Sequence, residues 1–119
     1  MKHSDLIVWQ KAMDLVTVIY KITATFPGEE RFGLSSQARR AAVSIPSNIA
    51  EGHGRKSTGA YLNHLSIAHG SLMELETQIQ IALRLNFVGA DETSTLLVQT
   101  NGIGKMLNGL KRSLSAKEE

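Results

Sequence analysis

Apolar residues recur at alternating spacings of four and three over one long segment, from Tyr61 to Ala82. Side chains at such spacings lie on one face of an α-helix, because the helix has about 3.6 residues per turn. Three further segments repeat the pattern, and residues that stop helices, such as Pro27 and Gly54, separate them. The sequence therefore predicts four amphipathic helices, over roughly residues 5–25, 35–53, 58–85 and 91–114. The stripe of the first comprises Leu6, Trp9, Met13, Val16 and Tyr20, widened by Ala12, Leu15, Ile19 and Ile22.

Four amphipathic helices joined by short connections predict an all-α, up-down-up-down four-helix bundle. The 119 residues are enough for a single domain with a core that needs no metal or disulfide. The chain has no cysteine, and its longest strictly apolar run is the four residues at 6–9. We therefore predict no membrane-spanning segment and no secretory signal, and we expect a cytoplasmic protein.

The polar residues contain no recognisable catalytic or metal-binding motif. The Glu-x-x-His pairs of di-iron bundles do not occur, and His64 and His69 diverge by about 140° around a helix. The segment GHGRKS at 52–57 lacks the spacing of a phosphate-binding loop. We therefore predict no metal site, no cofactor and no catalytic residue.

The second predicted helix carries a line of polar side chains along one face. An antiparallel third helix would place Arg40 opposite Gly70 and within reach of Glu74, and Gly70 would let the two helices approach closely. We expect this line to specify packing or assembly, and a solvated outer face is the alternative. The line consists of residues separated by three or four positions, namely Gln37, Arg40, Ser44, Asn48, Glu51 and Arg55.

Pro46 lies within the same predicted helix. It removes the hydrogen bond to the carbonyl of Ala42, at a cost of about 3 kcal/mol if nothing compensates. We therefore predict a kink, with Ser44, Ser47 or Asn48 donating to the freed carbonyls.

Basic residues concentrate between positions 31 and 56. Five basic side chains stand there against Glu51 alone, a net charge of +4, whereas the whole chain carries only +2. Such a segment favours binding to phosphate groups. We predict Arg39, Arg55 and Lys56 as nucleic-acid contacts and Arg40 as a structural residue.

Three blocks of sequence resemble the four-helix-bundle proteins of the 23S rRNA intervening-sequence family: DLIVWQKAMDL at 5–15, FPGEERFGLSSQARRAAVSIPSNIAEGHGR at 26–55 and IAHGSLMELETQIQIA at 67–82. The resemblance implies a small bacterial protein that forms an up-down bundle and assembles as a homopentamer around a central channel. Members are similar in fold to accessory proteins of diversity-generating retroelements, whose pentamers bind a reverse transcriptase and nucleic acid through basic surfaces. The motif residues of the family fall here on Gln37, Arg40, Ser44, Asn48, Glu51 and Gly52, and on Gly70, Ser71, Glu74 and Glu76.

The leading hypothesis is a non-catalytic oligomeric accessory protein that associates with RNA or another nucleic acid through a basic surface. The basic segment lacks the usual aromatic stacking platform, so binding should be led by phosphate contacts and sensitive to salt. One alternative is a structural or protein-interaction module, for example a partner of a nucleic-acid-processing protein. Its subunit interface would include Gln37, Arg40, Ser44, Asn48, Glu51, Gly70, Glu74 and Glu76. A weaker alternative is an enzyme acting on RNA, with Glu51, Glu74 or Glu76 in acid–base roles.

Overall fold

The structure, a computed structural model, describes residues 1–118 of the chain. Within that range the protein consists of four α-helices and two single 3-10 turns, with no strand. The all-α, four-helix prediction is therefore confirmed. The helices are α1 (Ile7–Thr23), α2 (Leu34–His53), α3 (Thr58–Arg84) and α4 (Ala90–Glu118), and the turns are His3–Asp5 and Gly28–Glu30.

Local hydrogen bonds explain where α3 begins and ends. At its start the Ser57 hydroxyl accepts the Ala60 N–H at 3.1 Å, the usual bond of an N-terminal cap. At its end Asn86 adopts a φ of 61°, the left-handed conformation that asparagine tolerates better than most residues. The Phe87 N–H then donates to the Ala82 carbonyl at 2.9 Å, and the chain leaves the helix in a Schellman-type turn.

The fourth helix is longer than the sequence pattern predicts. It extends to Glu118, whereas the apolar rows support only residues 91–114. Residues 115–118 continue the helix because the last turns contain no proline or glycine to stop it.

The predicted apolar row of α3 is buried throughout its central part, from Leu65 to Ala82. In α1, by contrast, the buried row is Val8, Ala12, Leu15 and Ile19, whereas Met13 and Tyr20 are exposed. The residues expected only to widen the stripe of α1 therefore form its centre. Other fully buried members of the core are Ile45, Ile49, Leu96 and Leu107.

Pro46 is buried, and α2 continues across it from Leu34 to His53. Asn48, one of the three predicted compensating donors, bonds the Ser44 carbonyl at 2.9 Å. The carbonyl that loses its donor at Pro46 is that of Ala42, so the Asn48 bond does not replace the missing hydrogen bond.

No helix within residues 1–118 is both long enough and apolar enough to cross a membrane.

Candidate functional site

A polar seam joins the middle of α2 to α3. The Ser44 and Ser71 hydroxyl oxygens are 2.8 Å apart, and Asn48 Oδ1 lies 3.0 Å from His64 Nδ1. The later residue of α2, Asn48, contacts the earlier residue of α3, His64, so these two helices are antiparallel. At Ser44 and Asn48 the predicted polar line is half-buried and packs against α3, as a line that specifies packing should.

The hydrogen bonds of the seam define the tautomer of His64. The Asn48 amide donates through Nδ2 to the Ser44 carbonyl, so its Oδ1 faces His64 as an acceptor. His64 must therefore carry its proton on Nδ1 to complete the bond. The Glu51 carboxylate lies 3.7 Å from the same Nδ1, but it is 62% exposed while the imidazole is only 14% exposed.

The seam does not contain a nucleophile paired with a base. The side chain of Asn48 stands between Ser44 and His64, and within residues 1–118 no serine hydroxyl makes a hydrogen bond to a histidine ring. The bonds that the seam does contain connect Ser44 and Asn48 of α2 with Ser71 and His64 of α3, so the seam holds the two helices together.

The two helices approach closely at Gly52. A Cβ atom there would lie 2.9 Å from His64 Cβ and 2.9 Å from Tyr61 Cδ1. At Gly70 a Cβ atom would meet nothing within 4 Å. The prediction that Gly70 allows close approach of the second and third helices is therefore wrong. The register of the helices differs from the predicted one by about one turn.

This register brings Gln37, Arg40 and Glu74 around a polar groove of about 290 Å³ between α2 and α3. The expected ion pair between Arg40 and Glu74 is not formed, and within the described residues Glu74 Oε1 accepts a hydrogen bond from Gln78 at 3.2 Å instead. Both charged side chains are exposed, where an ion pair gains little over solvation by water. Glu76 is on the opposite side of α3 from Glu74, since two residues turn a helix by about 200°.

Arg39 is bound within the chain. Its Nε donates to Thr23 Oγ1 at 2.8 Å and its Nη2 to the Tyr20 carbonyl at 3.3 Å. Its guanidinium carbon also lies 4.7 Å from the centroid of the Tyr20 ring. The side chain is half-buried and ties α2 to the C-terminal end of α1, where a cation is favourable. The assignment of Arg39 as a nucleic-acid contact stays a prediction, although much of its hydrogen-bonding capacity is already used.

Arg55 and Lys56 lie in the turn between α2 and α3, and both are exposed. Within residues 1–118 neither makes an ion pair. The end of α2 at His53 is about 20 Å from Arg40 along the helix axis, at about 1.5 Å per residue, and Arg55 follows that end. The basic segment of the sequence is therefore divided between two ends of α2.

Three residues that the sequence interpretation did not select lie beside Arg39 and Arg40. They are Tyr20, Arg31 and Phe32, and together with neighbouring side chains they line an open pocket of about 540 Å³. The expectation that the basic segment has no aromatic surface is wrong for this region, since Phe32 is 88% exposed. The sequence signal was Phe32 itself, directly after Arg31. We call this the arginine pocket; its lining is Tyr20, Arg31, Phe32, Ser36, Arg39, Arg40, Val43 and Ser44.

The fold and the seam define a class of all-helical proteins in which four helices pack around a main apolar core and a polar seam joins the second helix to the third. The model of the family described as 23S rRNA-intervening sequence protein matches residues 4–109, and the chain belongs to that family. The resemblance predicted from the sequence blocks is thereby confirmed.

A solved structure supports the fold independently. The chain is similar to a protein with unknown function from the S23 ribosomal protein family of Bacteroides thetaiotaomicron VPI-5482, with a TM-score of 0.84 and 23% sequence identity. The similarity covers 94% of this chain and 99% of that one. At this identity it shows the fold alone. No curated protein matches the chain.

Proposed function

We propose that this protein is a non-catalytic, oligomeric accessory protein that associates with RNA through a basic surface. The observation that carries the proposal is the placement of Arg55 and Lys56. Both side chains are exposed at the tip of a tight turn, and neither is neutralised by an ion pair within the described residues. The membership of a family named for intervening sequences in 23S rRNA makes RNA the first nucleic acid to test.

Further basic residues accompany this turn. A Cβ atom at Gly104 would lie 3.5 Å from the Leu72 side chain, and Leu96 shares a small cavity with Ile79. In these two contacts the later residue of α4 meets the earlier residue of α3, so α4 is antiparallel to α3. The last turns of α4 therefore lie at the end of the bundle that carries Arg55. The basic side chains of those turns are Lys111, Arg112 and Lys117.

Assembly would strengthen this surface. Acidic residues such as Glu51 offset part of the charge, so one chain supplies only a modest field. A ring of identical chains presents the same basic surface once per chain, so the total field is larger although each individual surface is unchanged. We propose the homopentamer of up-down-up-down bundles that the family resemblance implies.

An exposed apolar strip on α3 supports assembly. Ile67 and Ile81 are 45% and 42% exposed and lie seven residues on either side of Glu74, so the three side chains share one face of α3. A second copy of the chain would cover this strip, as oligomer interfaces commonly cover exposed apolar surface.

A titration of RNA against protein at low salt tests the proposal. The double variant Arg55→Ala/Lys56→Ala should bind more weakly and should lower the slope of log K against log salt by about two for each chain in contact. The matched control Lys11→Ala/Lys105→Ala removes two exposed charges from α1 and α4 and should bind like the wild type. Equal losses in both double variants would show that only net charge matters, and the assignment to the turn would be wrong.

A structural or protein-interaction module without nucleic-acid binding is the second candidate. The half-buried polar seam and the exposed apolar strip favour it, because both belong to packing. In this case Arg40→Ala should break the oligomer on sizing chromatography, and no RNA should bind to the wild type even at low salt.

A further inference from the structure

The arginine pocket combines concentrated positive charge with exposed aromatic surface. Three guanidinium groups line it, from Arg31, Arg39 and Arg40, and no carboxylate does. The neighbouring Glu30 is already bound, since its Oε1 accepts the Leu34 N–H at 3.1 Å at the start of α2. The volume of about 540 Å³ is within the usual range of small-ligand sites. The pocket is therefore suited to an anion that also has a flat or apolar part.

Phe32 offers one face of its ring to such a ligand. Its side chain is 88% exposed, and the guanidinium carbon of Arg31 lies 5.3 Å from the ring centroid. A cation over one face of an aromatic ring leaves the opposite face free for stacking. The surrounding turn is held by backbone bonds, including Gly33 N–H to the Glu30 carbonyl at 3.0 Å, so the ring is presented by an ordered segment.

The arginines differ in what they can contribute. Arg39 is held by Thr23 and Tyr20, so it supplies a positive charge at a fixed position. Arg40 is exposed and makes no ion pair within residues 1–118. Its guanidinium group can therefore bind a phosphate through two parallel hydrogen bonds. Arg31 also lines the pocket and adds a third charge.

We propose that the arginine pocket binds one nucleotide of single-stranded RNA, with the base stacked on the free face of Phe32 and the adjacent phosphate bound by Arg40. This inference rests on the proposed association with RNA and names the contact that distinguishes a single strand from a duplex. A paired base is stacked within its helix and cannot lie on Phe32, whereas an unpaired base can. An acidic peptide would satisfy the arginines but would leave the aromatic face unused.

Binding of a short oligouridine that carries one 5-iodouridine tests the pocket. We expect ultraviolet irradiation of the complex to crosslink the modified base to the peptide that contains Phe32. Phe32→Ala should lower affinity by about 5-fold to 100-fold, the loss that follows removal of one base–aromatic stack. Phe32→Tyr keeps the ring and should bind like the wild type. The high exposure of Phe32 makes both variants compatible with an unchanged fold, which circular dichroism verifies.

The outcomes separate this inference from the proposed function. RNA binding with unchanged affinity in Phe32→Ala and no crosslink at the pocket would overturn the inference and leave the proposed function standing. Absence of RNA binding by the wild type at low salt would overturn both. A change of particle mass in Phe32→Ala, measured by light scattering, would assign the pocket to a second copy of the chain and would also overturn the inference. The double variant Arg55→Ala/Lys56→Ala should weaken binding and retain the crosslink.

Discussion

Replacing Gly52 by alanine tests the packing of α2 against α3. If only helix propensity mattered, Gly52→Ala would stabilise the protein by up to about 1 kcal/mol. The structure predicts the opposite sign, because the new Cβ would lie 2.9 Å from both His64 Cβ and Tyr61 Cδ1. The Cβ of His64 is fixed by the backbone of α3 and cannot rotate away. Overpacking of this kind costs about 1–3 kcal/mol. The gain in helix propensity from the substitution is small, because Gly52 is next to the end of α2.

We therefore expect Gly52→Ala to lower the free energy of unfolding by about 1–2 kcal/mol in urea titrations followed by circular dichroism. The matched control is Gly70→Ala, in the interior of α3 with open space around the new Cβ; it should raise the same free energy by about 0.5–1 kcal/mol. Both titrations need one fixed protein concentration, since assembly contributes to apparent stability. Equal stabilisation by the two substitutions would refute the close approach at Gly52.

Three further substitutions test individual contacts. Ser57→Ala removes the cap that accepts the Ala60 N–H and should lower the unfolding free energy by about 1 kcal/mol in the same urea titration. Arg39→Met removes two hydrogen bonds and the contact with the Tyr20 ring and should cost about 1–2 kcal/mol; an unchanged stability would instead fit a side chain that serves only a ligand. Burial raises the pKa of the Tyr61 hydroxyl, so the unfolded chain loses this proton first, and stability should fall as pH rises from about 10 towards the folded pKa. Tyr61→Phe should lack that part of the alkaline loss in thermal melts, and an identical pH profile would show that Tyr61 does not contribute.

The buried row of a helix was predictable where the spacing of its apolar residues permits only one orientation against the core. In α3 the alternation of four and three from Leu65 to Ala82 defines one continuous apolar row, and that row is buried. In α1 the stripe is broad enough to permit two orientations. Burial of Ala12 and Leu15 and exposure of Met13 and Tyr20 depend on where α2 and α4 lie, which the sequence of α1 does not contain.

The register of α2 against α3 was not predictable to within one turn. It depends on the path of the residues 54–57 and on the contact at Gly52, and both are tertiary features. The contact of Arg39 with α1 has a similar origin. Adjacent residues point about 100° apart on a helix, and only the position of α1 decides which of the two meets Thr23. The arginine pocket escaped prediction because Tyr20 and Phe32 belong to different elements that the fold brings together.

The salt dependence of RNA binding tests the central claim most directly. We expect the wild-type protein to bind single-stranded RNA at about 50 mM salt and to lose at least about tenfold in affinity by about 200 mM, with log K falling linearly against log salt, because phosphate contacts release condensed counterions. Absence of binding at the lower salt concentration, or an affinity that does not change between the two, would contradict a function based on the basic surface.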